Sequence, residues 1–139
     1  MDCRIHKLVA DVAVVAEGRV LMVRYRDTKP YDGQGGWFLP DDYLRHLEQP
    51  EDAAARIAHE QAGVSLAEPR LAFVESFGDG AWHIAFHHRA DLNAIPTTAA
   101  GANVRDLEWF PLDAPPPVDE TAHHGWGLDV LGRMGLIPG

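Results

Sequence analysis

Residues 35–64 read "GGWFLPDDYLRHLEQPEDAAARIAHEQAGV". The second half carries a full set of helix signals. Pro50 suits a first helical turn, where the backbone N–H has no intrahelical partner. Glu51 and Asp52 complement the positive helix end, and Gly63 suits a left-handed stop. The spacing predicts a helix over 50–63. At about 100° per residue, with Ile57 as zero, Gln61 falls near 40°, Glu60 near 300°, Val64 near 340° and Ala53 near 320°, so these five share a face. Arg56, near 260°, reaches Glu60 one turn on as an i,i+4 ion pair, whereas His59 points elsewhere. Read by itself, this is an amphipathic helix that buries Ala54 and Ala58 and leaves Glu60 as a solvated or paired acid.

On either side the periodicity becomes that of strands. "HKLVADVAVVA" (6–16) and "RVLMVRYR" (19–26) are alternating or continuously apolar, and Glu17-Gly18 between them is a hairpin signal. "DTKPYDGQGG" (27–36) is rich in turn formers and reads as an exposed loop, followed by a short strand "WFLP" (37–40). After the helix, "RLAFVESF" (70–77), "AWHIAFHHRA" (81–90) and "VRDLEWFPL" (104–112) read as three more strands, the first two separated by the turn "GDG" (78–80). Beyond the proline linker "DAPPP", residues 119–134 read as a last helix stopped by Gly135. Strands before, between and after two helices indicate an α/β or α+β layered domain.

Composition narrows the classes of function. A chain of 139 residues with 46% hydrophobic content suits one domain, 1–139, with its own core. Twelve basic against twenty-one acidic residues give a net charge of −9, which argues against a nucleic-acid polymer or an anionic membrane as partner. Cys3 is the sole cysteine, which excludes an internal disulfide or a cysteine-based zinc site and suits a reducing, cytoplasmic setting. The apolar run at the N-terminus is broken by Asp11 and Glu17, too early for a signal-peptide core or a membrane span.

Residues 42–64 resemble the signature of the Nudix hydrolase superfamily, in which a glycine, a glutamate, an arginine and paired glutamates stand at fixed spacing before a closing glycine and an aliphatic residue. In register, Glu48 falls on the first glutamate, Arg56 on the arginine, Ala58 on the inner aliphatic position, Glu60 on the first paired glutamate, and Gly63 and Val64 on the end. "VAVVAEGRVLMVRYR" is similar to the family's opening hairpin, "GGWFLP" to the segment that leads into the box, and "LEWFPLD" to its late strand. The resemblance implies an α/β/α sandwich around a mixed β-sheet. It also implies magnesium or manganese held by three helix carboxylates, a nucleotide-like small molecule as substrate, pyrophosphohydrolase chemistry, and a homodimer.

The box departs from the family pattern where the chemistry lies. The opening glycine is Asp42, with Asp41 before it also replacing a glycine, and two of the three metal positions are Ile57 and Gln61. An apolar branched side chain supplies no ligand and an amide offers only a neutral oxygen, so metal should bind weakly through Glu60. Glu48 and Arg56 retain the family's structural pair, which charge-assisted hydrogen bonds hold with or without a metal. Asp41 and Asp42 are candidates to replace the missing ligands, against the alternative that they serve turn geometry. Glu75 and Glu108 are candidates from across the cleft, against solvated strand acids.

Other candidates leave the ligand open. Arg24 and Arg26 share one side of the second strand and suit phosphate binding or, equally, solvent exposure. Trp37, Phe38 and Trp82 suit stacking on a base or ordinary core packing. Within "WHIAFHH" (82–88), His83 and His87 share a face but stand about 13 Å apart along a strand, and His87 and His88 face opposite ways, so no histidine pair has zinc spacing. Two functional classes follow. One is a metal-dependent pyrophosphohydrolase of nucleoside-diphosphate-linked compounds with an incomplete metal site, with Glu60, Gln61, Glu48 and Arg56 as its site residues. The other is a Nudix-fold nucleotide-binding, sensing or structural module.

Overall fold

The computed structural model describes residues 6–78 and 82–139. β1 (His6–Ala16) turns at Glu17 and Gly18, both at positive φ (51° and 71°), into β2 (Arg19–Tyr25), with Val15 opposite Val20. Two consecutive left-handed residues give the turn whose twist matches the strands, and Gly18 takes one of those places without steric cost. β3 (Asp41–Tyr43) pairs with the earlier part of β1, from Val9 to Asp11. α1 (Pro50–Ala62) follows, then β4 (Arg70–Phe77), β5 (Trp82–Leu92), β6 (Val104–Pro111) and α2 (Trp126–Arg133).

The sheet runs β4-β5-β1-β2-β6, with β3 beside β1. β1 and β5 are parallel over all eleven positions of each strand, and the other neighbours are antiparallel, so the sheet is mixed. Alternation along β1 sends Val12 and Val14 to one face, where they pack with Ala54, Ala58 and Ala62 of α1. Ala13 and Val15 face the other way and pack with Val130 and Leu131 of α2. The sheet therefore lies between two helices, as the α/β/α expectation requires. No described helix is long and apolar enough to cross a membrane.

α1 matches its sequence signals in detail. Gly63 caps it at φ 68°, and its N–H bonds back to the His59 carbonyl. Two expectations are corrected. Residues 37–40 are not a strand. Trp37 and Phe38 make only isolated bridges, to Thr121 and Val23, and the ladder begins after Pro40, which has no N–H to donate. The last helix is also shorter than 119–134. Residues 118–120 and 122–124 are separate single turns, and His123, His124 and Gly125 all take positive φ, so regular helix starts only at Trp126. The expected "GDG" turn lies largely at 79–80, outside the described residues.

Candidate functional site

The box loop and α1 are bound together by Arg56. Its Nε donates to Glu48 Oε2 at 2.8 Å and its Nη2 to Glu48 Oε1 at 3.0 Å, a bidentate pair, while Nη2 also donates to the Tyr43 carbonyl at 3.0 Å. The Arg45 N–H completes the shell of Glu48 at 3.0 Å. Hydrogen bonding from Arg56 holds the Glu48 carboxyl below its usual range, and the same contact holds the guanidinium still more firmly charged.

The three metal positions of the box have other occupations. Ile57 is fully buried and packs with Ala10 and Ala53 beneath Leu44. Gln61 Oε1 accepts from Tyr25 Oη at 2.8 Å, and Gln61 Nε2 donates to the Asp41 carbonyl at 2.8 Å. Glu60 is held by two guanidinium groups, Arg45 Nη2 at 2.8 Å and Arg56 Nη1 at 3.2 Å. Arg56 Nη1 also reaches Asp42 Oδ2 at 3.3 Å. The donor set of α1 therefore does not fit a divalent ion. One ligand position is hydrocarbon, one amide oxygen is spent on a phenol, and the remaining carboxylate is already neutralised by two cations. Among the described residues, no group of three or more His, Cys, Asp or Glu side chains is placed to hold a metal.

Beside this network, on the α2 side of the sheet, opens a cleft of about 400 Å³. Next to it a row of titratable groups crosses four strands, and the two ends of the row, Asp41 and Glu75, line the cleft. Asp41 on β3 stands opposite Asp11 on β1, and Asp11 lies beside His87 on β5. His87 Nδ1 bonds the Asp11 carboxylate at 2.8 Å, and His87 Nε2 bonds Glu75 Oε1 on β4 at 2.7 Å. Glu75 further accepts from Trp126 Nε1 at 2.8 Å and from Arg133 Nη1 at 3.3 Å. Burial alone would lower the pKa of His87, but the carboxylates on both ring nitrogens outweigh it and raise the value above 6.5. Burial also raises the pKa of Asp11, against the opposing pull of His87, and raises that of Asp41 well above its usual value with added repulsion from Asp11, Asp42 and Asp32.

The remaining predicted residues divide. Asp41, Asp42, Phe38 and Glu75 line the cleft. Glu108 is exposed on β6 opposite Met22, away from it. Arg24 pairs with Asp106 at 2.9 Å and lies 4.5 Å over the ring of Trp37, while Arg26 follows β2 with its backbone bonded to Asn103. Trp37 is buried edge-on against Phe110 in the core under α2. None of these three lines the cleft. Sequence reasoning missed Trp126, Tyr25 and Arg45, weighed His87 only as a zinc ligand, and noted Asp11 only as a break in an apolar run. A single acid inside an otherwise apolar strand was the signal available.

Solved structures with the same architecture are numerous. A MutT NUDIX hydrolase from Burkholderia pseudomallei is 24% identical, over 94% of this chain and 98% of that one, with a TM-score of 0.76. The NUDIX domain of NrtR from Shewanella oneidensis, solved with ADP ribose, is 18% identical over 79% of this chain and 75% of that one, at 0.68. A bifunctional NMN adenylyltransferase/ADP ribose pyrophosphatase from Francisella tularensis, solved with AMP and a manganese ion, is 17% identical over 94% of this chain and 42% of that one, at 0.74. At these identities the likeness shows the fold. The curated proteins offer no match to the sequence. The family model described as NUDIX domain matches residues 6–127, from the first strand through the box and on to the start of α2, and the chain belongs to that family.

Proposed function

We propose that this chain binds a nucleotide-like small molecule in the cleft beside the box, as a ligand-binding or sensing member of the NUDIX family, without the helix-held metal cluster. One observation carries this reading. Glu60, the sole acid at the three metal positions, is ion-paired to Arg45 and Arg56, while Ile57 is packed in the core. The loop-to-helix tie through Glu48 and Arg56 keeps the ligand-facing shape of the box, so the scaffold persists with its metal ligands reassigned. The test is calorimetric titration of ADP-ribose and AMP with and without magnesium or manganese. Binding that is unchanged by the ions supports the reading, and binding that requires them refutes it.

A second reading has an observation of its own. Asp42 Oδ2 and Glu60 Oε2 converge on one nitrogen, Arg56 Nη1, at 3.3 and 3.2 Å, so two carboxylates already surround a single cationic position. On this reading the chain is a metal-dependent pyrophosphohydrolase of nucleoside-diphosphate-linked compounds, with Asp42 standing in for a missing helix ligand and magnesium or manganese bound weakly. Turnover with manganese that disappears in both Asp42→Asn and Glu60→Gln supports it, whereas turnover that survives either change rules it out. The homodimer implied by the family is part of the same proposal. Leu71 and Val74 are exposed on the edge strand β4, and sedimentation tests the association state.

A further inference from the structure

The cleft pairs a carboxyl group that has no side-chain partner among the described residues with a series of touching aromatic rings. Asp41 is only 5% exposed and lines the cleft. Its backbone N–H and carbonyl are bonded to Tyr25, Tyr31 and Gln61, but its side-chain oxygens receive no hydrogen bond or ion pair from any described residue. A buried carboxyl in that condition keeps its proton, as burial favours here, or ionises when a donor or a cation arrives from outside the protein. The neighbouring charges point the same way. Asp32, Asp42, Glu75 and Asp129 also line the cleft, and no lysine or arginine stands among its described lining residues.

Five of the lining residues carry rings that touch one another in series. Phe38 and His123 have centroids 6.0 Å apart, His123 and Trp126 6.0 Å, Trp126 and Phe77 5.8 Å, and Phe77 and His83 5.2 Å. The negative faces of such rings attract positive charge, and the attraction grows as water is excluded. A bare divalent ion would find carboxylates here, but no convergent set of three among the described residues. A phosphate would meet carboxylates and no lysine or arginine, so the phosphates of a nucleotide-like ligand would lie outside this subsite. We infer that this cleft is a subsite for an organic cation, a compact group that carries a positive charge and at least one N–H donor, with the N–H on the Asp41 carboxylate and its apolar body against the arc from Phe38 to His83. The inference deepens the function proposed above by naming the chemistry of one end of the ligand, and it rests on the cleft being the ligand site.

The test uses the full chain and calorimetry with three small probes: benzamidinium, the neutral isostere benzamide, and tetramethylammonium, which has charge but no N–H. Benzamidinium is expected to bind at least about tenfold more tightly than benzamide, with tetramethylammonium between them. Asp41→Asn, which keeps shape and removes charge, should bring benzamidinium and benzamide to within about twofold. Phe77→Leu, at an exposed position tolerant of change, should weaken the two cations by severalfold. Thermal unfolding of each variant confirms that it is folded. Equal binding of benzamidinium and benzamide to the wild type overturns the inference, as does a preference that survives Asp41→Asn, or magnesium that binds wild type and is lost in that variant. ADP-ribose separates the two proposals. If it binds and benzamidinium fails to bind, the cation subsite is wrong and the nucleotide reading stands. If benzamidinium binds as predicted and ADP-ribose does not bind, the subsite stands and the nucleotide reading falls.

Discussion

Arg56 and Glu48 are joined by two parallel hydrogen bonds, 2.8 and 3.0 Å long, that fasten the loop after β3 to the middle of α1. Both side chains are largely removed from solvent, so loss of the Glu48 charge leaves Arg56 only its longer ion pairs to Glu60 and Asp42. Glu48→Gln should cost on the order of 2 kcal/mol, read by chemical denaturation. The pH dependence has a definite sign. A carboxyl whose folded pKa is lowered contributes stability above its ordinary value of 4.5 and loses that contribution as pH falls through the folded value. The wild type should therefore lose more stability than Glu48→Gln on acidification below that value, and parallel curves would disprove the role given to this pair.

The missing ligand at Ile57 cannot be restored by a single exchange. Its side chain is fully buried against Ala10 and Ala53, so Ile57→Glu places a charge in the core and should cost about 3 kcal/mol or more. Denaturation curves in saturating manganese decide the matter. A variant as stable as wild type, with new tight metal binding, would mean that the box is one mutation from function.

Gln61→Glu should behave differently, because Gln61 Nε2 now donates to the Asp41 carbonyl at 2.8 Å. A carboxylate there opposes an oxygen to an oxygen, at a cost of about 1–3 kcal/mol in chelator. A divalent ion seated between them recovers part of that loss. The expected signature is an unfolding temperature raised by manganese in the variant and unmoved in the wild type.

His87 lies between Asp11 and Glu75, and its raised pKa makes stability depend on pH near neutrality. The contribution of a histidine with a raised folded pKa is complete below the unfolded value of 6.5 and disappears as pH rises through the folded value. Unfolding free energy should therefore decline as pH rises above 6.5, and the decline should be smaller in His87→Phe. A variant that retains the full slope would assign it to other groups.

Gly101→Ala should destabilise the fold and disturb the box together. A β-carbon at 101 would collide with the carbonyl of Glu60, and the Gly101 N–H bonds the Gln61 carbonyl at 3.0 Å. Backbone offers little room to yield, so a loss of about 2 kcal/mol is expected, with shifted amide resonances at Glu60 and Gln61 in NMR spectra.

What could be read in advance was local. The cap at Gly63 and the turn at Glu17-Gly18 depend on residues close in sequence, the Glu48–Arg56 pair followed from the family resemblance, and each is present in the structure. The errors came where distant contacts decide. Thr121 bridges Trp37 in place of starting a helix, and Pro40 delays the third strand until it can pair with β1. The Asp11–His87 contact joins residues 76 apart through a parallel pairing that no periodicity reveals. Arg45, fifteen residues from Glu60, sits in an irregular loop and left no pattern to read.

That same parallel pairing has a consequence for how the chain reaches its native state. β1 borders β5 along its full length, whereas its hairpin partner β2 meets it at only two positions. β1 must therefore wait for a strand made much later before the hydrogen bonds along that edge close. Loop-closure entropy must be overcome before those bonds form, so folding should be slow and governed by high contact order. A nascent chain that stops before residue 82 holds its first strand with one edge largely unsatisfied, a surface open to misassembly until synthesis moves on.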